Sequence, residues 1–223
     1  MKRFSQLLLI CLTGLVAYFI WDQFFPAKGA WHQKLTVEIE TPTGPIAATN
    51  VVGVKFRGNI KFWGSMDHSR SRLEGEAIYV NLDGKPLFVL LGGAGDLLFW
   101  TLKRTQNDIG AYSQSIRRIK RQTSPIVVPR KLWPAMVTFG DVNDPSSVQA
   151  VNPNDLSATF GPGYAITGVT VQSTDEPVTE GVVEQVLGWL GPYPELPVLP
   201  EIDPYDFSFA AKLRQGQFIR RPN

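Results

Sequence analysis

At 223 residues, with 43% hydrophobic and 19% charged side chains, the chain holds enough apolar material for one globular domain with accessories and falls outside the disordered class. Its net charge of +2 is too small for a whole-protein nucleic-acid binder. The one cysteine, Cys11, lies in the N-terminal apolar run, which leaves the remainder without a disulfide or a cysteine metal site.

Lys2 and Arg3 precede an uncharged run from Phe4 to Trp21, with Asp22 the first acid after it. As a helix that run is about 27 Å long, close to the hydrocarbon thickness of a bilayer. Trp21 and Tyr18 suit the headgroup interface, and the short basic end stays in the cytoplasm. The competing reading, a cleaved secretory signal, needs small residues before the cut. Ala30 has Lys28 and Ala27 has Phe25 three positions into that motif, so an uncleaved anchor around Leu7 to Trp21 is favoured. Cys11 follows Leu8, Leu9 and Ile10, which is no lipoprotein signal.

Residues 24–34 read as a juxtamembrane linker. Leu35 to Glu40 alternates apolar and polar residues, the period of a half-buried strand, and Ile46 to Phe56 makes a hairpin with it across Thr41 to Pro45. Arg57 to Gly75 is polar and reads as an irregular connection. Glu76 to Leu82 and Leu87 to Leu91 flank Asp83-Gly84, a dipeptide suited to the positive φ angles of a tight hairpin. Leu87 to Leu91 is apolar on both faces and is expected at the centre of a covered sheet. After Gly92 to Gly95, Asp96 is expected to cap a helix through Lys103. A second helix is expected within Gln106 to Gln122, with Ile109, Tyr112, Ile116 and Ile119 on one face. Ala135 to Phe139 and Tyr164 to Gln172 read as strands, and Asp144-Pro145 and Asn152-Pro153 each start a capped short helix or turn. Thr179 to Leu190 has the apolar spacing of an amphipathic helix. The sum is one α+β domain of antiparallel hairpins, about six strands and a few short helices, preceded by one transmembrane helix. Its expected divisions are 1–23 stub and anchor, 24–34 linker, 35–190 exported domain and 191–223 a Pro- and aromatic-rich tail.

Charge is sorted into blocks. Eight basic residues, Lys103, Arg104, Arg117, Arg118, Lys120, Arg121, Arg130 and Lys131, stand against the single acid Asp108, whereas Leu132 to Ala211 holds eleven acids and no Lys or Arg. Mutual neutralisation across the surface is one explanation, worth about 0 to 1 kcal/mol per exposed pair. The others are a surface that selects a partner by complementary potential, or contact with an anionic lipid or polymer. Arg117, Arg118, Lys120 and Arg121 are the candidate interaction surface.

Catalytic patterns are weak. The strand and glycine loop ending at Gly95 lack both the third glycine of a dinucleotide fingerprint and a P-loop Lys-Ser/Thr pair. His32 and His68 are the only histidines, with no ligand spacing between them. Ser65 near Asp67-His68 lacks a nucleophile motif, and turn capping accounts for Asp141 and Asp144 better than calcium binding does. No cofactor or metal is expected.

The segments Val137-Thr-Phe-Gly-Asp-Val-Asn-Asp-Pro145, Asn152-Pro-Asn-Asp-Leu156, Phe160-Gly-Pro-Gly163 and Thr174-Asp-Glu-Pro-Val-Thr179, with the earlier Trp31-His-Gln-Lys-Leu-Thr36, resemble a family of uncharacterised, signal-anchored bacterial envelope proteins. That resemblance spans most of the exported part and implies an envelope setting, without site residues or a reaction. The expectation is a single-pass inner-membrane protein, N-terminus cytoplasmic and C-terminal domain periplasmic. It acts by non-catalytic interaction, immunity or assembly, with an envelope protein as possible partner and no nucleic acid. The alternative is a hydrolase of an envelope polymer, with acids drawn from Asp141 to Glu184.

Overall fold

A computed structural model describes residues 6, 10–18, 28–57, 70–106, 112–191, 195–199 and 209–221. In chain order the strands are β1 (Lys28–Thr41), β2 (Gly44–Arg57), β3 (Arg70–Glu76), β4 (Ile78–Leu82), β5 (Lys85–Val89), β6 (Ile126–Val127), β7 (Met136–Phe139), β8 (Val148–Val151), β9 (Ala165–Thr174) and β10 (Ile219–Arg220). The helices are α1 (Ala94–Thr105), α2 (Tyr112–Arg121), α3 (Ser157–Phe160), α4 (Val182–Val186) and α5 (Phe209–Lys212). The fold is α+β, with two antiparallel sheets ordered β10-β3-β2-β1-β9-β6 and β4-β5-β7-β8.

The larger sheet is built on the β1-β2 hairpin, paired without interruption from Lys28↔Arg57 to Thr41↔Gly44. Trp31, Gln33, Leu35, Val37 and Ile39 alternate inward, while Lys28, His32, Lys34, Glu38 and Glu40 occupy the outer face. The period-two reading of Leu35 to Glu40 therefore holds, but the strand begins at Lys28, inside the stretch expected as linker. Apolar Trp31 and the pairing along β2 carry it there.

The smaller sheet is covered on both faces. Ile78, Val80, Leu82, Leu87 and Val89 face the core under β1, β2, α1 and β9, while Phe88, Val137, Phe139 and Val148 face a second core made with α4 and the C-terminal segment. Central β5 is thus apolar on both sides, as expected of it. Phe88 anchors the second core, edge-on to Phe139 at 5.6 Å and to Phe218 at 5.8 Å. Asp83 (φ 49°) and Gly84 (φ 86°) make the tight turn between β4 and β5.

Four sequence expectations change. Arg70 to Glu76 is strand where the connection to Gly75 was expected to be irregular, because it pairs antiparallel with β2 from Gly53↔Glu74 to Arg57↔Arg70. Val148–Val151 forms a short strand that so few residues did not announce. The helix expected from Thr179 to Leu190 covers only Val182–Val186. Thr179 is instead held extended on β2, its N–H donating to the Val51 carbonyl at 3.0 Å and its Oγ1 accepting from Val51 N–H, and Gly181 (φ 92°) turns the chain only afterwards. Asp96 does not cap α1. Left-handed Gly93 precedes the helix, and Asp96 sits in the first turn, where it accepts from Ser71. Ile109 lies outside the described residues.

The C-terminal segment is part of the domain. Ile219 and Arg220 pair with Glu76 and Gly75, and Phe218 is fully buried. Phe218→Ala is expected to cost about 3 to 5 kcal/mol by opening a cavity against Phe88 and Phe139, read from chemical denaturation. Tyr164, just before β9, donates its hydroxyl to Asp83 at the hairpin turn. That bond holds the phenol above its usual value. The folded state binds this proton more tightly, so the contribution is complete below the unfolded tyrosine value of about 10 and fades as pH rises through the folded one. Tyr164→Phe is expected to flatten the alkaline fall in melting temperature. An unchanged alkaline profile would show that this bond does not form.

Candidate basic surface and outer-face groove

Helix α2 is held by its apolar side. Ile119 and Ser115 are buried, and Ile116 lies so close to Gly29 of β1 that a Cβ there would meet it at 2.6 Å. This packing turns Arg117, Arg118, Lys120 and Arg121 outward, and all four are exposed. Ile119 sits between them as the buried staple, which is what spacing by three and four predicts.

Among the described residues the basic block does not pair with the acidic half. Lys103 lies over the rings of Trp100 (5.3 Å) and Phe99 (5.8 Å), and Arg130 over Trp133 (5.0 Å). Arg118 and Arg130 donate to the side-chain oxygens of Gln106 (2.7 Å) and Asn154 (3.1 Å). Among the described residues none of the eight basic residues makes an ion pair. Aromatic faces and amides leave the charges of Lys103, Arg118 and Arg130 in place.

The acids find other partners. Glu176 pairs with Lys34 at 2.8 Å, and Arg221 reaches both Glu180 (3.3 Å) and Glu184 (2.8 Å). Asp141 accepts from Asn143, and Asp155 from Ser157 and Ala158. Ser146, through its hydroxyl and then its backbone N–H, holds the Asp144 carboxyl below its usual value. Asp141, Asp144 and Asp155 therefore cap turns, as the sequence context of the first two predicts. Among the described residues no cluster of His, Cys, Asp and Glu is arranged to hold a metal. Ser65, Asp67 and His68 lie outside those residues.

A groove of about 330 Å³ opens on the outer face of the larger sheet, with His32, Lys55, Glu74, Lys120 and Asp175 among its lining residues. One wall begins the segment that leaves β9 and crosses back over the sheet. Gly53 and Gly75 make room for it, since a Cβ at either would meet Val178 at 3.2 Å. His32 donates from Nδ1 to the Glu176 carbonyl (2.7 Å), so in the neutral ring Nε2 is the acceptor. Ser173 donates its hydroxyl to the His32 backbone carbonyl (3.3 Å) and not to the ring, so the geometry is that of a clasp on the crossing segment rather than of a nucleophile and its base.

Compared with models of known protein families, with curated proteins and with solved structures, the chain has no match in any of the three.

Sequence reasoning missed the carboxylate of Glu76, which is buried and accepts from the N–H groups of Val182 (3.1 Å) and Val183 (3.2 Å). It caps α4 from another strand, so no local spacing reports it. Glu76→Ala is expected to cost about 3 kcal/mol by orphaning both donors beside Arg221, with Glu76→Gln milder because one oxygen remains. Equal stability of both variants and the parent in urea would sink that role.

Proposed function

We propose that this chain is an envelope protein anchored once in the inner membrane, N-terminus inside and domain outside, that works by binding rather than by catalysis. The observation that carries the binding reading is the exposed basic face of α2, whose four charges have no acidic partner among the described residues. Such a face is arranged for an acidic surface on an envelope protein, where complementary potential sets partner choice and encounter rate.

The anchor reading rests on the uncharged run from Phe4 to Trp21. Residues 10–18 are helical, with Ile10, Leu12, Leu15 and Val16 at least half exposed, an apolar surface suited to lipid. Among the described residues no helix is long and apolar enough to cross a membrane, and residues 7–9 and 19–27 lie outside them. For the residues beyond that stretch, the anchor of Leu7 to Trp21 rests on the sequence. An envelope setting agrees with the family resemblance in the sequence.

A reporter active only outside the cytoplasm, fused after Asn223, is expected to be active. Arg at both Gly14 and Leu15 is expected to release the chain from membranes, each charge costing about 2.5 to 3.5 kcal/mol near the helix centre. An inactive fusion made at normal levels, with a cytoplasm-only reporter active at the same position, would overturn the topology. For binding, crosslinked capture should yield a specific envelope protein at low salt. The yield should collapse at high salt, or when Arg117, Arg118, Lys120 and Arg121 are all reversed to Glu. Capture indifferent to both changes, with cleavage of an envelope glycan by the purified chain, would replace this reading with the hydrolase.

A further inference from the structure

The outer face of the larger sheet is polarised along its length. Down β1 the outward positions run Lys28, Ala30, His32, Lys34, Thr36, Glu38, Glu40, so one end is basic and the other acidic. At the basic end like charges stand directly opposite each other across the hairpin and its neighbour. Lys28 pairs in register with Arg57, and Lys55 with Arg72, and all four side chains are exposed. Opposed like charges destabilise a sheet. Glu74 pairs with Lys55 at 2.9 Å and offsets one of the four. The arrangement is therefore costly in isolation and becomes favourable against an anionic plane.

The same end is where the chain enters the domain. If the run to Trp21 is in the bilayer, seven residue steps lead from it to Lys28, a reach of no more than about 25 Å. The acidic end, at Glu38 and Glu40, is carried away from the membrane by the 14-residue strand. A short tether holds the basic end at high effective concentration over the headgroups, and the charge gradient of β1 selects which end faces down.

We propose that Lys28, Lys55, Arg57 and Arg72 form a docking surface for anionic phospholipid headgroups that sets the domain upright on its membrane. This rests on the anchor reading above, and it leaves to a protein partner the neighbouring face of α2, whose Lys120 lines the same groove as Lys55. Each basic residue held at an anionic leaflet strengthens the contact about fivefold.

The test uses the full chain in nanodiscs of phosphatidylcholine alone or mixed with phosphatidylglycerol. Surface amines are acylated and the rates at individual lysines read by mass spectrometry. Lys28 and Lys55 are expected to react about fivefold more slowly in the anionic discs, with recovery at high salt. Lys85 and Lys131 serve as references and should react equally in both. Arg57→Glu, at an exposed site, is expected to restore reactivity at Lys28. Equal rates at Lys28 and Lys55 in the two discs would overturn the docking surface, as would protection confined to Lys120, which would move the lipid contact to α2. An alkaline wash of vesicles separates this from the anchor. Retention in neutral vesicles with equal lysine rates sinks docking alone. Loss from neutral vesicles sinks the anchor, and salt-sensitive protection of Lys28 and Lys55 on anionic vesicles would then still support docking.

Discussion

The structure turns on the corner at Glu76 and Ala77, where one strand path leaves the larger sheet as β3 and enters the smaller as β4. Three separate pieces of chain are fastened there. Asn50 of β2 donates its side-chain amide to the carbonyls of both corner residues, Ala77 donates its N–H to the Phe218 carbonyl at 2.7 Å, and the Glu76 carboxylate takes the first N–H groups of α4. A buried carboxylate costs several kcal/mol unless it is hydrogen-bonded and opposed by positive charge. Here the N-terminal end of α4 supplies the donors and nearby Arg221 the charge. Burying a charge is tolerated because that one group specifies how the two sheets, the crossing segment and the C-terminus meet.

What was legible in the sequence is what is written locally. The alternation from Leu35 to Glu40, the Asp83-Gly84 turn and the doubly apolar Leu87 to Leu91 each carry a short-range signal, and the structure follows all three. Strand β3 escaped because Arg, Ser and Glu fill it, and its place is decided by pairing with β2 on one side and β10 on the other. The helix expected from Thr179 failed for a related reason. Its apolar spacing is genuine, and Val183 and Leu187 are both fully buried, yet Thr179 has a better partner in the backbone of Val51. Periodicity reported the burial correctly and the backbone conformation only in part.

The charge blocks were legible as composition and not as pairing. Eleven acids facing eight basic residues suggested mutual neutralisation, but among the described residues the cations that meet these acids are Lys34 and Arg221, which lie outside the basic block. Arg221 comes from the last residues of the chain and Lys34 from the first described strand, so both pairings are set by topology. Among the described residues the face of α2 has no acidic partner as a result. Its readability came from the heptad-like spacing of Ile116 and Ile119, which requires the residues between and beside them to face solvent.

Long-range fastening of this kind constrains the order of events. The outward ring of Phe88 is covered by Phe218, and β3 acquires its outer neighbour only from Ile219 and Arg220. Until the last residues arrive, one face of the smaller sheet and one edge of the larger are open, and contacts this distant in sequence form slowly because loop closure must precede them. Finished, the larger sheet ends in two-residue strands, β6 and β10, edges too short to recruit a foreign strand. Closure of the second core and of the β3 edge therefore waits on one segment, since Phe218 fills the former and Ile219 and Arg220 pair along the latter.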